Sequence, residues 1–235
     1  MRLFERAARR AGLPLRMREG FNPRPRISFP LSLALGVEGR EEVAGVQLTD
    51  WLAPEEVRRR LARALPRGLD VIGVSTVDPR HGGRVVAVTY LIEHPAIAGL
   101  SAADLDALLA REEVPVTRLR KGRQVVVDIR PYLHGLTLAP AETDRPMTTS
   151  RRSRPALRVD LRVTPKGTAR ADEVFALLVQ GSAVRGQGSG TDQRPPEPGA
   201  LAPGPGTVAT RIVRERVVLA GSAGSSSWAG QMADR

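Results

Sequence analysis

VVAVTYLIEHPAIAGLSAADLDALL, Val85–Leu109, is the stretch on which the reading of the fold turns. Val85–Ile92 is an apolar run of strand length and composition. Ser101 then opens a helix, because Asp104 stands three residues on as its capping-box partner, and Leu105, Leu108 and Leu109 supply the buried stripe. A strand followed at once by a helix is the start of a β-α unit. Downstream, Val116–Leu119 and Gln124–Ile129 flank a turn at Arg120–Gly122 and predict a hairpin, with Lys121-Gly122 a weaker turn pair than Asn-Gly. A strand over Leu157–Val163 follows a polar loop. A helix over Ala171–Val179 has Asp172 and Glu173 in its first turn and Val174, Leu177 and Leu178 facing inward, and Arg211–Leu219 is a final strand.

Upstream of Val85 a similar order is expected. Leu3, Phe4, Ala7, Ala8 and Ala11 share one helical face, Arg2, Arg6, Arg9 and Arg10 fill the other, and Gly12 and Pro14 end that helix. Ile27–Val37 and Val43–Leu48 read as strands. Pro54 suits the first position of a second helix whose stripe is Val57, Leu61, Ala64 and Leu65, and Leu69–Val77 alternates as a strand before a turn at Asp78–Gly83. The fold class is therefore α+β, as two ferredoxin-like β-α-β-β-α-β halves, the first lacking its opening strand and the second carrying an extra hairpin strand. The boundaries are 1–78 for the first half, and 84–180 with 207–219 for the second. Glycine- and proline-rich residues 181–206 are expected to be a disordered insertion, and 220–235 a disordered tail in which Trp228 is an incidental aromatic or a partner anchor.

Composition narrows the chemistry. The chain has 235 residues, 41% of them hydrophobic, enough for a buried core. Phe29–Val37, its longest near-apolar run, falls far short of the roughly 20 residues a membrane helix needs. Arg2, Arg6, Arg9 and Arg10 interrupt any secretory h-region, so a soluble cytoplasmic protein is expected. With no cysteine, disulfides, thiolate catalysis, zinc–cysteine sites and cysteine-held iron–sulfur clusters are excluded. His81, His94 and His134 are the only histidines and lack helical ligand spacing, so neither a metal nor another cofactor is expected.

The net charge is +11, and Lys121 and Lys166 are the only lysines. Arginine's planar fork suits phosphate and carboxylate oxygens, although biased genome composition explains an arginine excess equally well. More than half of that charge lies in residues 1–35, where eight arginines face only Glu5 and Glu19. Within Gly20-Phe21-Asn22-Pro23-Arg24-Pro25-Arg26 two prolines hold the chain extended, so Arg24 and Arg26, with Arg16 and Arg18, form a stiff anion or RNA site in which Asn22 reads an amide edge. The alternative is a loop that only packs across a sheet. Phe21 and Phe29 flank it, and core packing is the commoner role for such aromatics than base stacking.

A second basic group comprises Arg120, Lys121, Arg123 and Arg130, preceded by Arg118 and accompanied by Asp128, Tyr132 and His134. Asp128 is the one candidate catalytic residue. It acts either as a general acid or base, or as a structural partner of Arg130 or a neighbouring arginine, and the structural role is favoured.

The segment FERAARRAGLPLRMREGFNPRPRISFPLSLALG, Phe4–Gly36, resembles the signature of the radical-SAM-linked protein family, supported by Val37–Glu38, RLRKGRQVVVDIRPYL at Arg118–Leu133, ADEVFALL at Ala171–Leu178 and TRIVRERV at Thr210–Val217. The resemblance covers about residues 1 to 219 and implies association with a radical SAM protein, the family's own activity being undefined. It also implies a strand and a Ser-His-rich turn before the first helix, so the chain reads as an N-terminally truncated member, unstable alone. The expected function is an uncharacterised accessory protein, more an adaptor than an enzyme, that binds RNA or another anionic substrate for a separate radical SAM enzyme. The alternatives are a protein-only docking scaffold and, by fold analogy alone, a standalone pseudouridine-synthase-like RNA-modifying enzyme using Asp128.

Overall fold

A computed structural model of the chain describes residues 2–77, 83–140, 155–186 and 210–220. It is an α+β protein that divides into two compact units, the first comprising 1–32, 41–85 and 219–235, and the second 33–40 and 86–218.

In the first unit, helix α1 (Arg2–Arg10) packs on helix α2 (Pro54–Ala64). Local chemistry marks both ends of α2. Pro54 occupies the first turn of α2, Glu55 and Glu56 sit at its positive end, and the Arg10 guanidinium donates to the Ala64 carbonyl at 2.8 Å near its end. Beneath the helices Ala8, Leu13, Ile27 and Val57 form a buried cluster, joined by Phe29, Val46, Leu48, Leu61 and Val74. Phe29 meets Phe4 edge-on at 5.1 Å. Strand content here is small. Strand β1 (Ile27–Ser28) pairs antiparallel with β3 (Gly45–Val46), while the intervening β2 (Val37–Gly39) belongs to the other unit.

The strands expected over Ile27–Val37 and Val43–Leu48 are thus reduced to short pieces. The one expected over Leu69–Val77 does not form. Leu69, Ile72 and Val77 are exposed and Val74 alone of the segment joins the buried cluster, so the alternating pattern has no neighbouring strand to bond and no apolar face to bury. Among the described residues this unit builds a two-stranded ladder instead of the expected sheet.

The second unit carries a five-stranded sheet in the order β2-β9-β4-β8-β7, with β4 over Val85–Glu93, β7 over Leu133–Pro140, β8 over Pro155–Arg162 and β9 over Arg211–Leu219. β8 runs antiparallel to both β4 and β7, and β2 runs parallel to β9. Helix α3 (Ala102–Leu109) follows β4, and helix α4 (Ala171–Gly186) follows β8. The register opposes Val88 with Leu161 and Ile92 with Leu157, placing these four buried side chains on one face. α3 contacts β7 and α4, and Leu105, Leu108, Val174 and Leu178 are buried. The capping box of α3 is present, with Ser101 Oγ accepting from Asp104 N at 3.3 Å and Asp104 Oδ2 accepting from Ser101 N at 2.9 Å.

Two expectations are corrected here. The hairpin, β5 (Pro115–Arg120) and β6 (Arg123–Asp128), forms a separate two-stranded sheet, and the strand that completes the main sheet is β7, which periodicity missed. Gly135 and a register shift between Leu133 and Gly135 break its alternation, which is why it does not read as a strand locally. Second, α4 continues through Gly186, into the stretch expected to be a disordered insertion. The rest of that insertion, the turn at 78–82 and the tail from 221 lie outside the described residues.

Candidate anion-binding hairpin

The residues from Leu15 to Ile27 fold back on themselves. Met17 bridges Pro25 antiparallel, Arg18 N donates to the Arg24 carbonyl at 2.8 Å, and Arg26 N donates to the Arg16 carbonyl at 2.8 Å. The turn between them holds Gly20 at φ +132°, a conformation an L side chain rarely adopts. A third segment locks this hairpin in place, since Arg16 N donates to the Gln47 carbonyl at 2.9 Å and Gln47 N to the Arg26 carbonyl at 3.0 Å.

That register has a direct electrostatic consequence. Residues 16 and 26 oppose one another, as do 18 and 24, with the 17–25 pair between them. Alternation along each strand then puts Arg16, Arg18, Arg24 and Arg26 on one face and Met17 and Pro25 on the other. Opposed like charges destabilise a β pair unless something anionic lies over them. Arg16, Arg18 and Arg24 are exposed, and among the described residues no carboxylate forms an ion pair with any of the four. Arg26 is half-buried, and its Nε–H is enclosed without a hydrogen-bond partner. An enclosed N–H donor is costly unless an acceptor, water or anion, meets it.

Beside this face lies an open depression of ≈ 490 Å³ lined by Arg18, Glu19, Arg26, Ile27, Ser28 and Gln47. Glu19, Ser28 and Gln47 were not legible as site residues, because Gln47 arrives only through the third segment. The two phenylalanines separate. Phe29 takes the core role, whereas Phe21, at the tip with Asn22, is fully exposed, correcting the expectation that it packs inside.

A second basic depression, ≈ 470 Å³, is lined by Arg10, Glu56, Arg59, Arg60 and Arg63 among others. Its arginines are largely engaged. Arg59 and Arg60 both pair with Glu56, Arg60 also donates to the Gly12 carbonyl at 3.2 Å, and Arg10 holds the Ala64 carbonyl.

In the second unit the remaining site residues part company. Arg120, Lys121 and Arg123 are exposed at the tip of the β5–β6 hairpin, where Lys121 at φ +49° and Gly122 at φ +75° make the tight reversal. Arg130 lies past the opposite end of that hairpin and donates to the carbonyls of Arg111 at 3.0 Å and Leu133 at 3.2 Å. Arg118 is buried and forked onto Glu173, with Nε and Nη2 each 2.7 Å from a carboxylate oxygen and Nη2 also 3.0 Å from the Thr168 carbonyl. This pairing raises the Arg118 pKa. Asp128 Oδ1 accepts from Val114 N at 2.8 Å and Arg130 N at 2.9 Å. Those two bonds, Val114 first, hold the carboxyl below its usual range. An acid so biased toward its charged form is a loop clamp and a poor proton donor near neutrality.

Among the described residues no cluster of three or more His, Asp or Glu is arranged to hold a metal ion, and no helix is long and apolar enough to cross a membrane. The fold and site together define an α+β protein bearing an arginine-faced hairpin. Residues 1–159 match the model of a family described as an uncharacterised protein conserved in bacteria (DUF2344), and the chain belongs to that family. No curated protein and no solved structure matches it.

Proposed function

We propose that this protein is a cytoplasmic accessory factor that binds RNA, or another anionic substrate, on the face formed by Arg16, Arg18, Arg24 and Arg26 and presents it to a separate radical SAM enzyme. The observation that carries the reading is the placement of four arginines on one face of a short hairpin with the Arg26 Nε–H enclosed and unbonded. Such a face is stabilised by an anion that bridges guanidinium forks, and phosphate oxygens match that geometry. The radical SAM partner rests on the resemblance of Phe4–Gly36 to the radical-SAM-linked signature. The second unit supports a ferredoxin-like reading by its element order β4-α3-β7-β8-α4-β9 and strand order β9-β4-β8-β7.

Purification of the full chain from its host, with and without nuclease treatment, tests this. Nuclease-sensitive nucleic acid that copurifies with the parent and is absent from the triple variant Arg16→Ala, Arg18→Ala, Arg24→Ala supports the proposal. A parent that copurifies with a radical SAM protein but never with nucleic acid would sink the RNA reading in favour of a docking scaffold.

A further inference from the structure

We infer that the hairpin seats an unpaired nucleotide of a single-stranded RNA, with the phosphate against Arg18 and Arg26 and the base stacked on Phe21. This rests on the function proposed above and names the form of RNA that the site takes. Three observations carry it. Phe21 is 106% exposed at the turn that joins the two arginine strands, so it adds no packing to the first unit's core. Isolated exposed apolar residues are common on proteins, and Leu35 is as exposed in the other unit. Phe21 differs from these in position, since the opposed pair Arg18 and Arg24 closes the turn that carries it.

The depression adds the second observation. Arg18 and Arg26 line it together, and the Arg26 Nε–H, like that of Arg162 in the second unit, is an enclosed donor without a protein acceptor. A phosphate oxygen supplies that acceptor as a charge-assisted bond. Third, the same depression is lined by Glu19, Ser28 and Gln47. A carboxylate beside two guanidiniums repels a bare phosphate but accepts from a hydroxyl or amino group, so the lining suits a ligand with hydrogen-bond donors next to its phosphate. A ribonucleotide has both, in its 2′-hydroxyl and its base edges. A paired base inside a duplex cannot offer its flat face to Phe21, whereas an unpaired base can, and stacking of this kind tolerates any sequence.

Fluorescence anisotropy of the full chain against a short labelled oligoribonucleotide of mixed sequence, free and annealed to its complement, tests this. The parent is expected to prefer the single strand. Phe21→Ala should weaken single-strand binding roughly tenfold, the scale of one stacked base, with the salt dependence unchanged. Phe21→Trp should retain affinity, and Trp51→Ala, which removes an exposed aromatic outside the hairpin, should change nothing. Arg18→Ala should instead flatten the salt dependence. If the parent binds RNA through its arginines but Phe21→Ala binds as tightly as the parent, the stacking assignment is overturned and the proposed function stands. If the parent binds no RNA of either form, this inference and the RNA reading of the proposed function both fall.

Discussion

Arg18 and Arg24 are bonded through their main chains, the N–H of Arg18 donating to the Arg24 carbonyl at 2.8 Å, and this bond sets two unpaired guanidiniums on the same face of the hairpin. With Arg16 and Arg26 opposed one step further along, like charges are held at cross-strand distance by a backbone that Pro23 and Pro25 keep extended. The arrangement works against folding unless an anion lies over it.

If single-stranded RNA is the ligand, each phosphate left without its guanidinium should reduce the magnitude of the log-affinity against log-salt slope by about 0.7. Arg24→Ala with Arg26→Ala should therefore flatten that slope by roughly 1.4. Thermal melts should show little change, because Arg24 is exposed and truncating Arg26 removes an enclosed donor that has no partner. An unchanged slope in a folded double variant removes both residues from the site, and failure to fold identifies the loop as packing alone.

Glu173→Ala should destabilise the second unit. It strips the carboxylate from buried Arg118 and leaves only the Thr168 carbonyl on that guanidinium. Breaking a buried pair from one side costs about 3 kcal/mol or more. Urea titration measures it, and a loss below about 1 kcal/mol would show that water replaces the carboxylate freely.

Asp128 gives a pH signature. Its folded-state pKa is depressed by the N–H groups of Val114 and Arg130, so its contribution is present above the unfolded pKa and is lost as pH falls through the lower folded value. Asp128→Asn should melt below the parent at neutral pH, and the two curves should converge in acid. A difference that persists undiminished below the carboxylate range would contradict a charge-based role. RNA binding should be unaffected by this variant, and any RNA-modifying turnover that Asp128→Asn abolishes would restore the catalytic reading.

Lys121 occupies a left-handed conformation at φ +49°, next to Gly122 at φ +75°. Asparagine tolerates that region better and Asn-Gly is a favoured pair for a two-residue reversal with positive φ at both positions. Lys121→Asn should raise stability by up to about 1 kcal/mol, a part of the roughly 1–3 kcal/mol that a left-handed non-glycine residue costs. A lower melting temperature in this variant would show that the ammonium group contributes more than the turn.

The amino-acid sequence by itself determined what depends on neighbours along the chain. Pro54 and the Ser101–Asp104 box set helix starts, Val85–Ile92 and Arg211–Leu219 supplied strands, Arg120–Arg123 closed a hairpin, and the basic charge gathered in residues 1–35. Caps, periods and tight turns act within a few residues, so each is legible locally. Tertiary structure alone decided the rest. That Leu69–Val77 stays out of a sheet, that β7 enters one despite Gly135, and that Val37–Gly39 runs parallel to β9 all depend on an edge supplied from elsewhere in the chain. The site divides the same way. Arginine enrichment was visible in one dimension, but the shared face of Arg16, Arg18, Arg24 and Arg26 required the Met17–Pro25 register and the Gln47 brace, and the opposite fates of Phe21 and Phe29 required a core to be inside or outside of. Strand pairing and burial are contacts between distant residues, and a side chain's face is undefined until the partner strand has arrived.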